Sequence, residues 1–207
     1  RAMNDNAISL EEFWGVVTCL TDDMKMCLTG LDATPEENEE LKSFWRRMYA
    51  RTAFAFFDGV TYRMMFHAYA ARDRRDVAFS LDELMKLEKS YDFDEDAEET
   101  VVTFSQTQML EDIKFAFNAF ARVHYSDYIF PTHDPNWITI KEIAHIRQAV
   151  QSPREAKELE VYDENIDVLV EGVQWFVECL VELLESSRKH AIEKFAEWEA
   201  NDDEIVM

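Results

Sequence analysis

Residues that make turns are scarce in this chain of 207 residues, which has four glycines and four prolines. Strand proteins need turn formers about every ten residues, so an all-β fold is a poor fit. With no glycine-rich segment there is also no loop to cradle a phosphate, which excludes P-loop and Rossmann chemistry. Cysteine is nearly absent: Cys19, Cys27 and Cys179 lack paired spacing, so neither a disulfide framework nor a zinc ribbon is expected, and a reducing cytoplasm fits best. The first residues lack the basic, apolar and small-residue pattern of a secretory signal. The most apolar run, Val168 to Leu184, is interrupted by Glu171, Gln174, Glu178 and Glu182, which a bilayer would penalise, so no membrane partner is expected. No serine stands in a nucleophile elbow, and Cys179 lies in an apolar run where a thiol packs rather than reacts.

Positive charge is the other shortage. Lys and Arg number 21 against 43 Asp and Glu, a formal charge of −22. A field of that sign repels phosphate backbones and argues against non-specific DNA binding. The chain is nonetheless 47% hydrophobic and 13% aromatic, enough to bury a core, which separates it from acidic chains that stay disordered.

What is present is helical periodicity. Ser9 and Glu12 make a capping box for a first helix through Phe13, Val17, Leu20, Met24 and Leu28, with Gly30 expected as its stop. Thr34-Pro35-Glu36-Glu37 reads as the next start, followed by one long helix to Ala71 with a stripe of Phe44, Trp45, Met48, Ala55, Tyr62, Met65 and Phe66. Gly59 within it would permit a close helix contact. A short helix capped by Ser80 reaches about Lys89, and an acidic loop covers 92–99. Further helices are expected from about Thr107 through Val123, from Trp137 to Val150, and from a cap at Asp163 through Phe195. No repeat or dividing linker is evident, so residues 1–207 are expected to form an all-α, single antiparallel helical bundle of about five to six helices.

Metal chemistry finds little support. Asp92, Asp94 and Asp96 open like a calcium loop, but Ala97 and Thr103 stand where glycine and a bidentate glutamate are needed. Glu142 and His145 have the spacing of a di-iron half-site without a second half, and no two of the five histidines have ligand spacing on one helix. No metal and no cofactor are expected.

The arginines are more informative. Seven of the twelve fall between Arg46 and Arg75, against only Asp58 and Asp73, a local charge of +5 inside an acidic chain. Arg51 and Asp58 are seven residues apart and share a face with Met48, Ala55 and Tyr62. Charges on an otherwise apolar face must be paired or line a cleft, or the arginine must snorkel toward a neighbouring helix.

Two segments resemble HEPN-type proteins (higher eukaryotes and prokaryotes nucleotide-binding). Arg46-Arg47-Met48-Tyr49-Ala50-Arg51 followed by Asp58-Gly59 is similar to that family's second helix, where arginines precede an acid-glycine pair. Trp137 to Arg154, then Leu159 to Ile166 and Trp175-Phe176, resembles the other half, which in HEPN ribonucleases holds an arginine, a polar residue usually asparagine, a short spacer, and a histidine often followed by proline. Arg147 and Pro153 stand in that motif, whereas Gln148 replaces the asparagine and Ser152 the histidine. The resemblance implies metal-independent RNA cleavage by arginine and imidazole, and two protomers whose motifs face each other, hence a homodimer.

A serine hydroxyl has no pKa near neutrality, so the general acid/base help of the ring, typically worth about 10²- to 10⁴-fold, is missing. The arginine could still bind phosphate through its fork of donors. Arg51, Asp58, Arg147, Gln148 and Ser152 are therefore the candidate cleft, with no catalytic residue assigned. The leading expectation is a HEPN-like module without efficient ribonuclease activity, working by binding or assembly with a protein partner or RNA in prokaryotic stress or phage defence. One alternative is a metal-independent endoribonuclease that pairs Arg147 with a histidine outside the motif. Another is an acidic nucleic-acid mimic or toxin-neutralising partner, suggested by the dense carboxylates of 92–99 and 197–204.

Overall fold

One helix organises the rest. In a computed structural model describing residues 10–73, 77–89, 106–151, 153 and 155–205, the second helix touches each of the other five α-helices. In chain order these are α1 (Leu10–Asp32), α2 (Glu39–Ala71), α3 (Leu81–Lys89), α4 (Gln106–Val123), α5 (Asn136–Gln151) and α6 (Asp163–Ile205), with a short 3₁₀ turn at Ala156–Leu159 before α6. The fold is all-α, and no strand occurs among the described residues. No described helix is long and apolar enough to cross a membrane.

Because α2 is covered on several sides, its buried residues do not form one stripe. Tyr49, Ala50, Ala53, Phe54, Phe56, Phe57, Val60, Met64 and Ala68 are all buried, whereas Phe44 and Ala55, expected in the core, face solvent. A helix with partners on several sides needs apolar residues over most of its circumference, so a search for a single stripe selects the wrong face.

The helix boundaries show which local signals prevailed. Gly30 does not stop α1, which continues to Asp32 with no glycine at positive φ. Its role is steric: a Cβ at position 30 would lie 2.6 Å from the Trp45 ring of α2. Gly59 does approach α1, but a Cβ there would rest 3.4 Å from Leu20 in ordinary contact. Thr34 does not cap α2. Its hydroxyl donates to the Gly30 carbonyl at 2.6 Å, and Asn38 is the cap, accepting from the Leu41 N–H at 3.2 Å. At α3 the expected box forms: Ser80 N–H donates to the Glu83 carboxylate at 2.7 Å and Glu83 N–H to the Ser80 hydroxyl at 3.3 Å. Beyond α4, Tyr125 takes a φ of 54°, and Ser126 N–H returns to the Ala121 carbonyl, a left-handed helix stop made without glycine. Ser9 and the acidic stretch 92–99 lie outside the described residues.

The core is aromatic where α2, α4 and α6 meet. Phe176 of α6 packs edge-on against Phe56, Phe57 and Phe117, with ring centroids 5.9, 5.0 and 5.4 Å away. Phe130, on the connector before α5, continues this cluster to Phe117, Trp137 and Trp175. The Trp175-Phe176 pair of the HEPN resemblance is thus part of the packing. Gly172 lets α6 lie against α5, since a Cβ there would fall 2.1 Å from the Ile143 side chain.

Candidate functional site

The two halves of the arginine motif meet between α2 and α5. Arg147, on the buried face of α5 with Ile140, Ile143, Ala144 and Val150, donates from Nη2 to Asp58 Oδ2 at 2.7 Å. These residues are 89 positions apart in the chain. The partners are unequally enclosed: the Arg147 side chain is 7% exposed and that of Asp58 45%. The guanidinium is therefore inside the bundle, and the carboxylate bridges it to the surface.

Desolvation pushes the Asp58 carboxyl above its ordinary value despite the attraction and hydrogen bond of Arg147, and repulsion from Asp112 of α4 adds to the rise. Asp112 is itself paired with Lys86 of α3 at 2.9 Å. At Asp58 the cost of burial outweighs the help of the neighbouring guanidinium, as expected for a charge taken from water.

Not every member of the candidate cleft joins it. Arg51 is exposed on α2 beside the exposed Ala55, while Met48 packs partly buried against the core and Asp58 turns to Arg147, so the Arg51 charge meets solvent and requires no cleft. Gln148 is exposed on α5. Ser152 lies outside the described residues. His145, two residues before Arg147, is exposed and displaced about 200° around α5 from it. Glu142 is exposed too, and no group of three or more metal-ligating side chains exists among the described residues.

A second buried arginine escaped the sequence reading. Arg46 of α2 donates from Nε to Asp163 Oδ1 at 2.6 Å, from Nη2 to Asp163 Oδ2 at 3.1 Å, and from Nη1 to Glu39 Oε1 at 2.5 Å. Its pKa is raised, chiefly by the hydrogen bond to Asp163. Asp163, expected as the cap of α6, is instead its first residue and ties that helix to α2 through a bidentate contact. Cys179 also behaves as packing: burial pushes its thiol up to about 12, and desolvation raises the buried Cys27 as well.

Comparison with protein-family models, characterised proteins and solved structures found no match. The HEPN resemblance rests on the motif residues.

Proposed function

We propose that this chain is a HEPN-like helical module that acts by binding or assembly and does not cleave RNA efficiently. The observation that carries this reading is the enclosed Arg147–Asp58 contact, which joins the two segments of the resemblance while engaging the guanidinium inside the protein. An arginine that stabilises a developing phosphate charge must present its donors to the substrate, and here one already serves a carboxylate. The proton-transferring ring is missing as well, since serine occupies position 152 and His145 points to another part of the helix. The charge of −22 repels a polyanion before contact. The setting in prokaryotic stress or phage defence follows from the resemblance.

Assembly has its own support in the surface. Leu41 and Phe44 lie one turn apart and exposed on α2, and Trp14 and Met26 are exposed on α1, its neighbour. Exposed apolar side chains on two adjoining helices fit a contact with a second copy of the chain. Sedimentation equilibrium should give about twice the 24.4 kDa chain mass, and Phe44→Glu should return it to one chain. A single-chain mass at every concentration would contradict self-assembly.

A further inference from the structure

Two histidines 57 residues apart in sequence meet where α2 passes the end of α4. Nε2 of His67 lies 2.9 Å from Nε2 of His124. Their ring centroids are 5.0 Å apart and their planes differ by 16°. The centroid separation exceeds the nitrogen separation by nearly two ring radii, so the rings meet edge to edge through their nitrogens and are not stacked face to face. Phe120 closes one side, with its ring 5.0 Å from that of His67 and 4.5 Å from that of His124. Backbone bonds hold the backbone of His124, whose N–H donates to the Phe120 and Ala121 carbonyls.

Only one proton fits between two imidazole nitrogens at this distance, so one ring donates and the other offers its lone pair. Nitrogens bound about 2.0 Å from a divalent ion lie about 2.8 Å apart when adjacent on a square-planar ion and about 3.3 Å apart on a tetrahedral one. At present the two nitrogens face each other across a hydrogen bond, so binding requires both rings to turn until their lone pairs converge on the ion. The donor ring presents a second lone pair once its proton has moved from Nε2 to Nδ1. From these contacts we infer that His67 and His124 form a two-imidazole clamp for a divalent transition-metal ion of the zinc and nickel class, locking α2 to α4. Among the described residues no third histidine, cysteine or carboxylate completes the site, so the affinity falls below that of a closed four-ligand site. The acidic field of the whole chain favours the arrival of a cation.

The clamp exists only in the folded chain, so the ion should stabilise it by mass action. The full chain carrying Cys19→Ser, which removes the exposed thiol, is titrated with zinc chloride by calorimetry and melted with and without the ion. One equivalent bound ahead of the surface carboxylates and a higher Tm are expected, with affinity at least about tenfold weaker in His67→Gln and in His124→Gln. Unchanged affinity and Tm rise in both variants would assign the ion to surface carboxylates and overturn the clamp. Imidazole proton resonances decide the matter without mutation. Zinc should shift those of two histidines, His67 and His124, and a shift confined to His133, His145 or His190, or none at all, would also overturn it.

Discussion

Asp58→Ala should lower folding stability by about 3 kcal/mol, measured by urea denaturation, and should cost more than Arg147→Met. The reason is the unequal enclosure of the pair. Removing Asp58 takes the carboxylate from a positive guanidinium whose side chain is only 7% exposed. Removing Arg147 leaves a carboxylate that is 45% exposed and can turn to water. Asp58 also has a raised pKa, so burying its charge already costs the native state. The double variant Asp58→Ala/Arg147→Met should therefore be more stable than Asp58→Ala alone, with a coupling energy of about 1–3 kcal/mol in the four-member cycle.

The pH dependence of this site has a definite sign. A carboxyl whose folded pKa lies above its unfolded value binds its proton more readily in the native state, so its contribution shifts toward folding as pH falls through that pKa. Asp58→Asn should remove this gain on acidification just above the ordinary carboxylate range. A depressed pKa would give the opposite slope.

Phe176→Ala should cost about 3–5 kcal/mol, a large share of the stability of a domain of this size. The ring is fully buried and makes edge contacts to Phe56, Phe57 and Phe117, drawn from two other helices. Its removal opens a cavity bounded by rings that are themselves fully buried, so little collapse can offset the loss. Phe176→Leu should recover much of the difference because it keeps most of the volume. A loss below about 1 kcal/mol for the alanine variant would mean that α6 is not anchored through this cluster.

The sequence made the helices legible but left their partners largely hidden. Capping chemistry identified Ser80 correctly because that signal is complete within four residues. Gly30 and Thr34 misled because their roles are tertiary or borrowed: Gly30 makes space for Trp45, and the Thr34 hydroxyl turns back to α1. The core face of α2 was misassigned for a related reason, since a helix with several neighbours does not carry a single apolar stripe.

At the candidate site, the resemblance places Arg147 and Asp58 in one cleft without pairing them, and the structure joins these two while Arg51 and Gln148 are surface residues. The Arg46–Asp163 contact spans 117 positions and the His67–His124 contact spans 57. Neither has a local spacing signature. Only the density of arginine in α2 hinted that some of those charges would be used inside the bundle.

The most direct measurement is a time course of labelled single-stranded RNA incubated with the purified chain in a chelator, beside Arg147→Ala. The RNA should remain intact with both proteins, since an enclosed guanidinium without a proton-transferring ring supplies neither phosphate contact nor acid/base help. Cleavage by the natural chain that Arg147→Ala abolishes would contradict a module that binds without cutting.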